Sequence, residues 1–247
     1  MSSDLVLSLF PGIGLLDTAF EEHCFCIVRG PDAIWGGDVR RFHPPAGVFG
    51  GIIGGPPCQA FSEATGINKG RSVKPAVNLI PEFERCVSEA QPDWFVMENV
   101  RRAPLPVVAG YQVADYLLNA RWFGSPQKRI RRFSFGSHDG RRLIIEPALI
   151  RPAFVARTVL CSDGRRNGAG GCRKDRKGKL ERQRHTFEQA CEYQGVPPSF
   201  LKTLGHTESF TKAGRWMLIG NGVPLPLGRA IAKAVRLLLT SPNPTGK

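Results

Sequence analysis

Short apolar runs alternate with helix-like segments along the first half of this 247-residue chain, and this alternation limits the folds open to it. The runs that have the length and composition of buried strands cover residues 5–9, 25–28, 48–53, 93–97, 111–118 and 132–135. Apolar residues recur at helical spacing over 15–22, 77–90, 187–193 and 227–239. Strands and helices that alternate at these lengths predict an α/β fold whose sheet is largely parallel.

The first strand leads into a helix through a turn that contains two glycines, FPGIG at residues 10–14. Glycine at such a turn lets a ligand approach the backbone, and the N-terminus of the following helix favours anionic groups. The turn fits a nucleotide or adenosyl ligand, and it fits a purely structural turn equally well.

Another strand end carries a single cysteine in the sequence GGPPCQAFS, residues 54–62. Pro56 and Pro57 fix the backbone φ angle and offer no N–H, so they stiffen the approach to Cys58. This arrangement suits a nucleophile held at the edge of a cleft. It equally suits a Gly/Pro turn with an incidental small apolar cysteine.

Glu98 ends a further strand-like run. In open α/β sheets ligands bind outside the carboxyl ends of the strands, so parallel strands would bring the Gly12 turn, Cys58 and Glu98 to one edge. A thiol beside a carboxyl group suits covalent catalysis with proton donation. An ordinary thiol has a pKa of ~8.5 and needs activation at neutral pH. The arginines within residues 129–132 can supply the positive charge that favours the thiolate.

The net charge of +13 is unevenly distributed along the chain. Residues 151–184 hold eleven Lys or Arg against three Asp or Glu. A concentrated basic segment predicts a polyanionic partner, most simply nucleic acid. A solvated, partly disordered basic loop explains the same composition.

The seven cysteines are scattered, with no CxxC pair and no histidine at zinc-ligand spacing, so we expect free thiols and no metal site. No apolar run approaches the length of a membrane span, and no basic region precedes an apolar stretch at the N-terminus. These features predict a cytoplasmic protein with no membrane partner and no disulfides.

Taken in order, the motifs resemble those of the cytosine-C5 DNA methyltransferases of bacterial and phage type, which use S-adenosylmethionine. The resemblance is carried by LSLFPGIG (7–14), GDV (37–39), GGPPCQAFS (54–62), ENV (98–100), QKRIR (127–131), FEQACEYQGVPPSF (187–200) and GNGVP (220–224). It implies a compact, Rossmann-like S-adenosylmethionine-dependent methyltransferase sheet with a small target-recognition lobe. It also implies that the protein methylates DNA as part of a restriction–modification system.

The resemblance assigns a role to each matching residue. Cys58 would attack C6 of a cytosine flipped out of duplex DNA, and Glu98 would hold the N3 side of the base and supply a proton. Arg131, with Arg129 near it, would position the base and the carboxyl group. The cofactor pocket would be lined by Phe10, Gly12, Gly14, Asp38, Val39, Pro57, Leu79, Asn221 and Val223. Contacts with DNA are expected from Gln59, Ser62, Lys69, Arg71, Arg165, Arg166, Arg173 and Lys174.

The chain departs from the family pattern at several positions. Ser8 stands in place of the usual acid of the first motif, and Leu15 stands in place of its usual second consecutive glycine. The acid that holds the cofactor ribose is not evident after the second strand, and Asp32 is the candidate substitute. The short, proline-containing stretch between Glu98 and Tyr111 predicts that a helix common there in the family is missing.

We expect a catalytic and cofactor-binding domain over residues 1–137, a small target-recognition region over 138–205, and a C-terminal segment over 206–247 that returns to the catalytic domain. The protein is expected to act as a monomer on double-stranded DNA, in a bacterial nucleoid or a phage-infected host. Two other functions stay open. One is a tRNA cytosine-C5 methyltransferase built on the same motifs, and the other is a catalytically inactive DNA-binding relative.

Overall fold

The computed structural model describes residues 4–57, 61, 77–148, 152–161, 163, 185–196, 200 and 210–241. Its strands are β1 (Leu5–Leu9), β2 (Cys26–Arg29), β3 (Gly51–Gly54), β4 (Trp94–Val100), β5 (Gln112–Asn119) and β6 (Ile130–Ser137). They form one six-stranded sheet in the order β2-β1-β3-β4-β6-β5.

The α-helices are α1 (Leu15–Glu21), α2 (Ile80–Ala90), α3 (Phe187–Tyr193), α4 (Lys212–Asn221) and α5 (Leu225–Thr240). Within the described ranges, none of the helices has both the length and the apolar character that crossing a bilayer requires.

The sheet has a parallel part and an antiparallel part. β1 pairs in parallel with β2 and β3, and β3 pairs in parallel with β4. β6 runs antiparallel to both β4 and β5. The carboxyl ends of β1 to β4 therefore share one edge of the sheet, which we call the site edge. The α/β, Rossmann-like class expected from the sequence is confirmed.

Alternate residues of β4 pack on opposite faces of the sheet, as the two-residue period of a strand requires. Trp94 and Val96 belong to an apolar cluster formed with α1 and α5, whereas Phe95 and Met97 belong to a cluster formed with α2. All four side chains are buried. Because this part of β4 is covered on both faces, residues 94–97 form a continuous apolar run rather than an alternating one.

Residues 101–111 connect β4 to β5 without a helix, as the sequence predicts. The N–H of Val107 donates to Glu84 Oε1 on α2 at 2.8 Å. Ala103 and Val108 are buried in the apolar cluster that contains α2. An extended crossover therefore covers this face of the sheet where a helix is common in the family.

A third apolar cluster joins α1, α3 and α4 and includes Leu15, Tyr193 and Trp216. The sequence pattern does not predict α4, because Gly214 and Gly220 disfavour a helix and interrupt its apolar spacing. Gly220 is required by close packing, since a Cβ there would lie 2.3 Å from the backbone nitrogen of Cys161. Tertiary contacts therefore determine this helix more than local propensity does.

Most predicted elements are observed with small shifts of their ends. Residues 5–9 and 187–193 form β1 and α3 with the predicted bounds, whereas α2 begins three residues after its predicted start. β3 begins at Gly51 rather than at Val48, whose side chain is exposed.

Replacing Gly51 or Gly136 by Ala should destabilise the protein. A Cβ at Gly51 would lie 2.2 Å from Trp94 Cζ2, and a Cβ at Gly136 would lie 2.2 Å from Phe95 Cε1. Overpacking of this kind costs about 1–3 kcal/mol in the free energy of unfolding, which urea titration measures. Val107→Ala, at a side chain that is 81% exposed, should change it by less than about 0.5 kcal/mol. Glycine variants as stable as the wild type would contradict the packing described for β4.

Candidate active site

Three strand ends meet at the site edge. β1 passes into the turn 10–14, β3 passes into residues 55–57, and β4 carries Glu98 near its end. The parallel pairing of β1 with β3 and of β3 with β4 is what places them together. The sequence therefore predicts correctly that the glycine turn, the approach to position 58 and Glu98 converge.

The chain that leads to position 58 is held against β4. Asn99 Nδ2 donates to the carbonyl of Pro56 at 3.2 Å, and Pro56 is buried. A Cβ placed on Gly55 would lie 3.3 Å from Glu98 Oε2, so the backbone passes beside the carboxylate. Cys58 itself lies outside the described residues.

Glu98 is buried and paired with Arg131 of β6. Arg131 Nε lies 2.9 Å from Glu98 Oε1, and the side chains are 15% and 9% exposed. Burial raises the pKa of Glu98, and the positive charges of Arg131 and Arg129 oppose part of that shift. The carboxyl group thus holds a proton more readily than an ordinary glutamate, which suits a proton donor.

Arg129 connects three parts of the chain. Its guanidinium is buried and donates to the carbonyl of Val159 at 2.8 Å, of Gly220 at 2.7 Å and of Gly222 at 3.1 Å. Arg129 thereby ties β6 to the GNGVP element, and its charge also acts on Glu98. Its catalytic role expected from the family stays a prediction.

The turn after β1 is left-handed at Phe10, Gly12 and Gly14, with φ angles of 56°, 57° and 78°. Two side chains clamp the peptide groups of Gly12. Asp32 Oδ2 accepts from its N–H at 2.9 Å, and Trp35 Nε1 donates to its carbonyl at 2.9 Å. The sequence reasoning missed Trp35, because nothing local shows that an indole will reach back to the first turn.

Asp32 uses both carboxylate oxygens to hold backbone groups, since Oδ1 also accepts from the N–H of Ile34 at 2.7 Å. Asp32 therefore shapes the turn. Its expected contact with the cofactor ribose stays a prediction. The space beside Gly12 is open, because a Cβ placed there would meet no heavy atom of the described chain within 4 Å. The turn therefore leaves room for a ligand against its backbone.

A carboxylate from α1 lies beside Ser8, the residue that stands in place of the usual acid. Ser8 Oγ donates to Asp17 Oδ1 at 2.5 Å, and Arg29 Nε at the end of β2 lies 2.9 Å from Asp17 Oδ2. Asp17 is fully buried, and this burial raises its pKa against the opposing effects of Ser8 and Arg29. The sequence signal for this network is an acid, Asp17, in the first turn of α1.

Asp38 and Val39, the two residues after Gly37, are held by different contacts. The Asp38 carboxylate accepts from both Nε and Nη2 of Arg40 at 2.9 Å, and these bonds lower the pKa of Asp38. Val39 is buried, and its carbonyl accepts from Arg85 of α2 at 2.8 Å. The expected contacts of Asp38 and Val39 with a cofactor stay predictions.

The GNGVP element lies beside the start of α1. A Cβ on Gly222 would lie 2.7 Å from Leu15 Cδ1, so Leu15, the departure from the family glycine, packs at this junction. Val223 is buried in the core, whereas Asn221 is exposed. Leu79 is half-buried directly before α2. The expected cofactor contacts of these residues stay predictions.

The structure does not test the expected nucleophile or the expected DNA-binding residues. Those outside the described ranges are Cys58, Gln59, Ser62, Lys69, Arg71, Arg165, Arg166, Arg173 and Lys174. Their assignments therefore rest on the sequence.

Comparison of the fold with solved structures defines its class. The Entamoeba histolytica methyltransferase EhMeth superimposes with a TM-score of 0.68, at 12% sequence identity, over 98% of this chain and 100% of that chain. At this level of identity the likeness establishes the fold alone. This chain therefore shares with that methyltransferase a Rossmann-like α/β sheet.

Comparison of the sequence with known proteins finds similarity to one family. Residues 37–104, which contain Asp38, Cys58 and Glu98, match the model of the C-5 cytosine-specific DNA methylases. The chain is similar to the Type II methyltransferase M.HgiDI of Herpetosiphon aurantiacus, with 39% identity over 36% of this chain and 31% of that protein. It is also similar to M.FnuDI of Fusobacterium nucleatum, with 34% identity over 53% of this chain and 46% of that protein.

These matches agree with the resemblance to cytosine-C5 methyltransferases that the motifs indicate. The chain spans less than half the length of the two Type II relatives just named.

Asp32→Ala should lower the free energy of unfolding by about 1–3 kcal/mol, because the N–H groups of Gly12 and Ile34 both lose their acceptor. Chemical denaturation followed by tryptophan fluorescence measures this loss. Glu146→Ala, which removes a surface ion pair with Lys233, should cost less than about 1 kcal/mol. Equal costs for the two variants would contradict the clamp described at Gly12.

The stability that Glu98 contributes should depend on pH in a defined direction. The folded pKa lies above the ordinary value of 4.5, so folding favours the protonated form, and stability is lost as pH rises from that value through the folded pKa. Glu98→Gln cannot ionise, so the stability of Glu98→Gln relative to the wild type should increase with pH across this window. Unfolding free energies measured from pH 4 to pH 8 would show it. A difference that is flat or falls with pH would contradict the raised pKa.

Proposed function

We propose that this protein transfers a methyl group from S-adenosylmethionine to C5 of cytosine in duplex DNA, through a covalent bond between Cys58 and C6 of the base. The observation that carries the proposal is the buried Glu98–Arg131 pair beside residues 55–57. It puts a carboxyl group with a raised pKa next to the chain that leads to the only cysteine of the PPCQ element.

The proposed reaction begins with attack of the Cys58 thiolate on C6, while Glu98 gives a proton to N3 of the base. This addition makes C5 nucleophilic enough to accept a methyl group. Loss of the C5 proton to water and return of the N3 proton to Glu98 then restore the aromatic ring and release Cys58 as a thiolate by elimination. Arg131 Nε lies 2.9 Å from Glu98 Oε1, and this contact holds the carboxyl group in position for proton donation.

The site edge fits a bound adenosyl cofactor. Gly12 and Gly14 form a turn directly before α1, with open space beside Gly12 and its peptide groups fixed by Asp32 and Trp35. Bound S-adenosylmethionine would supply the methyl group from its positively charged sulfonium. In the proposal, the residues expected to hold it are those of this turn, with Asp38, Val39 and the GNGVP element.

Duplex DNA is the proposed substrate because the matched family model is that of DNA methylases and the similar curated proteins are Type II methyltransferases. C5 and C6 of a stacked cytosine are inaccessible, so the target base must be flipped out at a cost of a few kcal/mol. The basic segment 151–184 suits the backbone contacts that offset this cost.

Transfer of labelled methyl groups to duplex DNA tests the proposal directly. The wild type should label unmethylated duplex DNA, Cys58→Ser should abolish labelling, and Glu98→Gln should lower it by ~10² to 10⁴-fold, as removal of a general acid does. Cys161→Ser, at an exposed free cysteine, is the matched control and should retain activity.

Parallel reactions with tRNA separate the substrate classes. Labelling of tRNA in place of DNA would overturn the DNA proposal and support an RNA enzyme. Labelling of neither would overturn both, and a fully active Cys58→Ser variant would refute the nucleophile.

A further inference from the structure

We propose that Arg101 and Arg102 bind backbone phosphates of duplex DNA close to the target cytosine. This inference rests on the proposed function and adds a contact to the same site. Neither arginine is among the residues that the family motifs assign to DNA binding.

Arg101 follows directly after β4, so its backbone cannot lie far from Glu98. It is three residues beyond Glu98, which corresponds to about 10 Å of extended chain at ~3.3 Å per residue. Successive phosphates of one DNA strand are spaced by about 3.4 Å along the helix axis. The backbone of Arg101 is therefore within about 10 Å of that of Glu98, a distance that spans about three successive phosphates.

The turn that carries both arginines is fixed by a neighbouring ion pair. Arg132 Nε lies 3.2 Å from Asp115 Oδ1, and Arg132 Nη1 donates to the carbonyl of Ala103. The N–H of Ala103 donates to the carbonyl of Val100 at 3.0 Å, and Ala103 is fully buried. The backbone of residues 100–103 is thus pinned to the sheet on both sides of the arginines.

Both side chains are exposed, although the turn beneath them is anchored. Among the described residues, no carboxylate forms an ion pair with Arg101. Arginine binds phosphate through paired N–H donors and keeps its charge at any physiological pH. Exposed guanidinium groups on a pinned turn beside a buried catalytic carboxyl group are suited to hold the backbone that flanks a flipped base.

The salt dependence of binding is the measurement that separates a phosphate contact from a structural effect. Each phosphate contact adds about 0.9 to the slope of log affinity against log salt concentration. We expect Arg101→Ala to reduce the slope for a 25-base-pair duplex by about 1, and the double variant Arg101→Ala/Arg102→Ala to reduce it by about 2. Fluorescence anisotropy over a range of KCl concentrations gives these slopes.

Arg142→Ala is the matched control, because it removes the same charge from an exposed arginine away from the site edge. Arg142 follows β6 at the end where Ser137 pairs with Trp94, the first residue of β4. The slope of log affinity against log salt concentration for Arg142→Ala should equal that of the wild type. Arg101→Lys, which keeps one charge, should retain most of the slope that Arg101→Ala loses. Thermal unfolding of every variant checks that the fold is intact.

Methyl transfer by the same proteins distinguishes failure of this inference from failure of the proposed function. Suppose that the wild type methylates DNA but the slopes of Arg101→Ala and the double variant equal that of Arg142→Ala. This result would overturn the phosphate contact and leave the proposed function intact. A wild type without transfer activity would remove the function, while the slopes would still decide the contact. The same titration with tRNA is a further check. If the arginine variants reduced the slope for tRNA but left the slope for the duplex unchanged, the inference would also be overturned.

Discussion

The site depends on one buried ion pair. Glu98 lies on the parallel part of the sheet and Arg131 on the antiparallel strand beside it, so the pair joins the two parts where they meet. Removing one partner of such a pair typically costs about 3–5 kcal/mol, because the other charge stays buried and uncompensated. The same burial that makes the pair costly to break raises the pKa of Glu98 and fits it for proton donation.

Backbone geometry around this pair is set by side chains drawn from several segments. Asn99 fixes the carbonyl of Pro56, Asp32 and Trp35 fix the peptide groups of Gly12, and Arg129 connects β6 with the GNGVP element. Each contact ends on a backbone N–H or carbonyl close to the end of a strand or helix, where such groups need partners outside the regular element. The site edge is thereby held in shape by polar contacts, while the apolar core holds the sheet.

Sequence patterns predicted the sheet, most element ends and the convergence of three strand ends, because buried strands leave continuous apolar runs such as DWFVM. They did not predict α4, whose glycines are favourable only through packing, as at Gly220. They also did not predict the Asp17–Arg29 pair or the bond from Trp35 to Gly12, because these contacts join residues 12 and 23 positions apart. Local periodicity carries no information on such pairings, which depend on how the strands are ordered in the sheet.

The central claim is that the chain held against Glu98 presents Cys58 as the nucleophile. A duplex containing 5-fluorocytosine tests it most directly, because fluorine at C5 cannot leave as a proton and the adduct is trapped after methyl transfer. The account predicts a denaturation-resistant protein–DNA complex formed with S-adenosylmethionine, whose crosslinked peptide contains Cys58 by mass spectrometry. A crosslink at another cysteine, or methyl transfer to ordinary duplex DNA without any trapped complex, would contradict it.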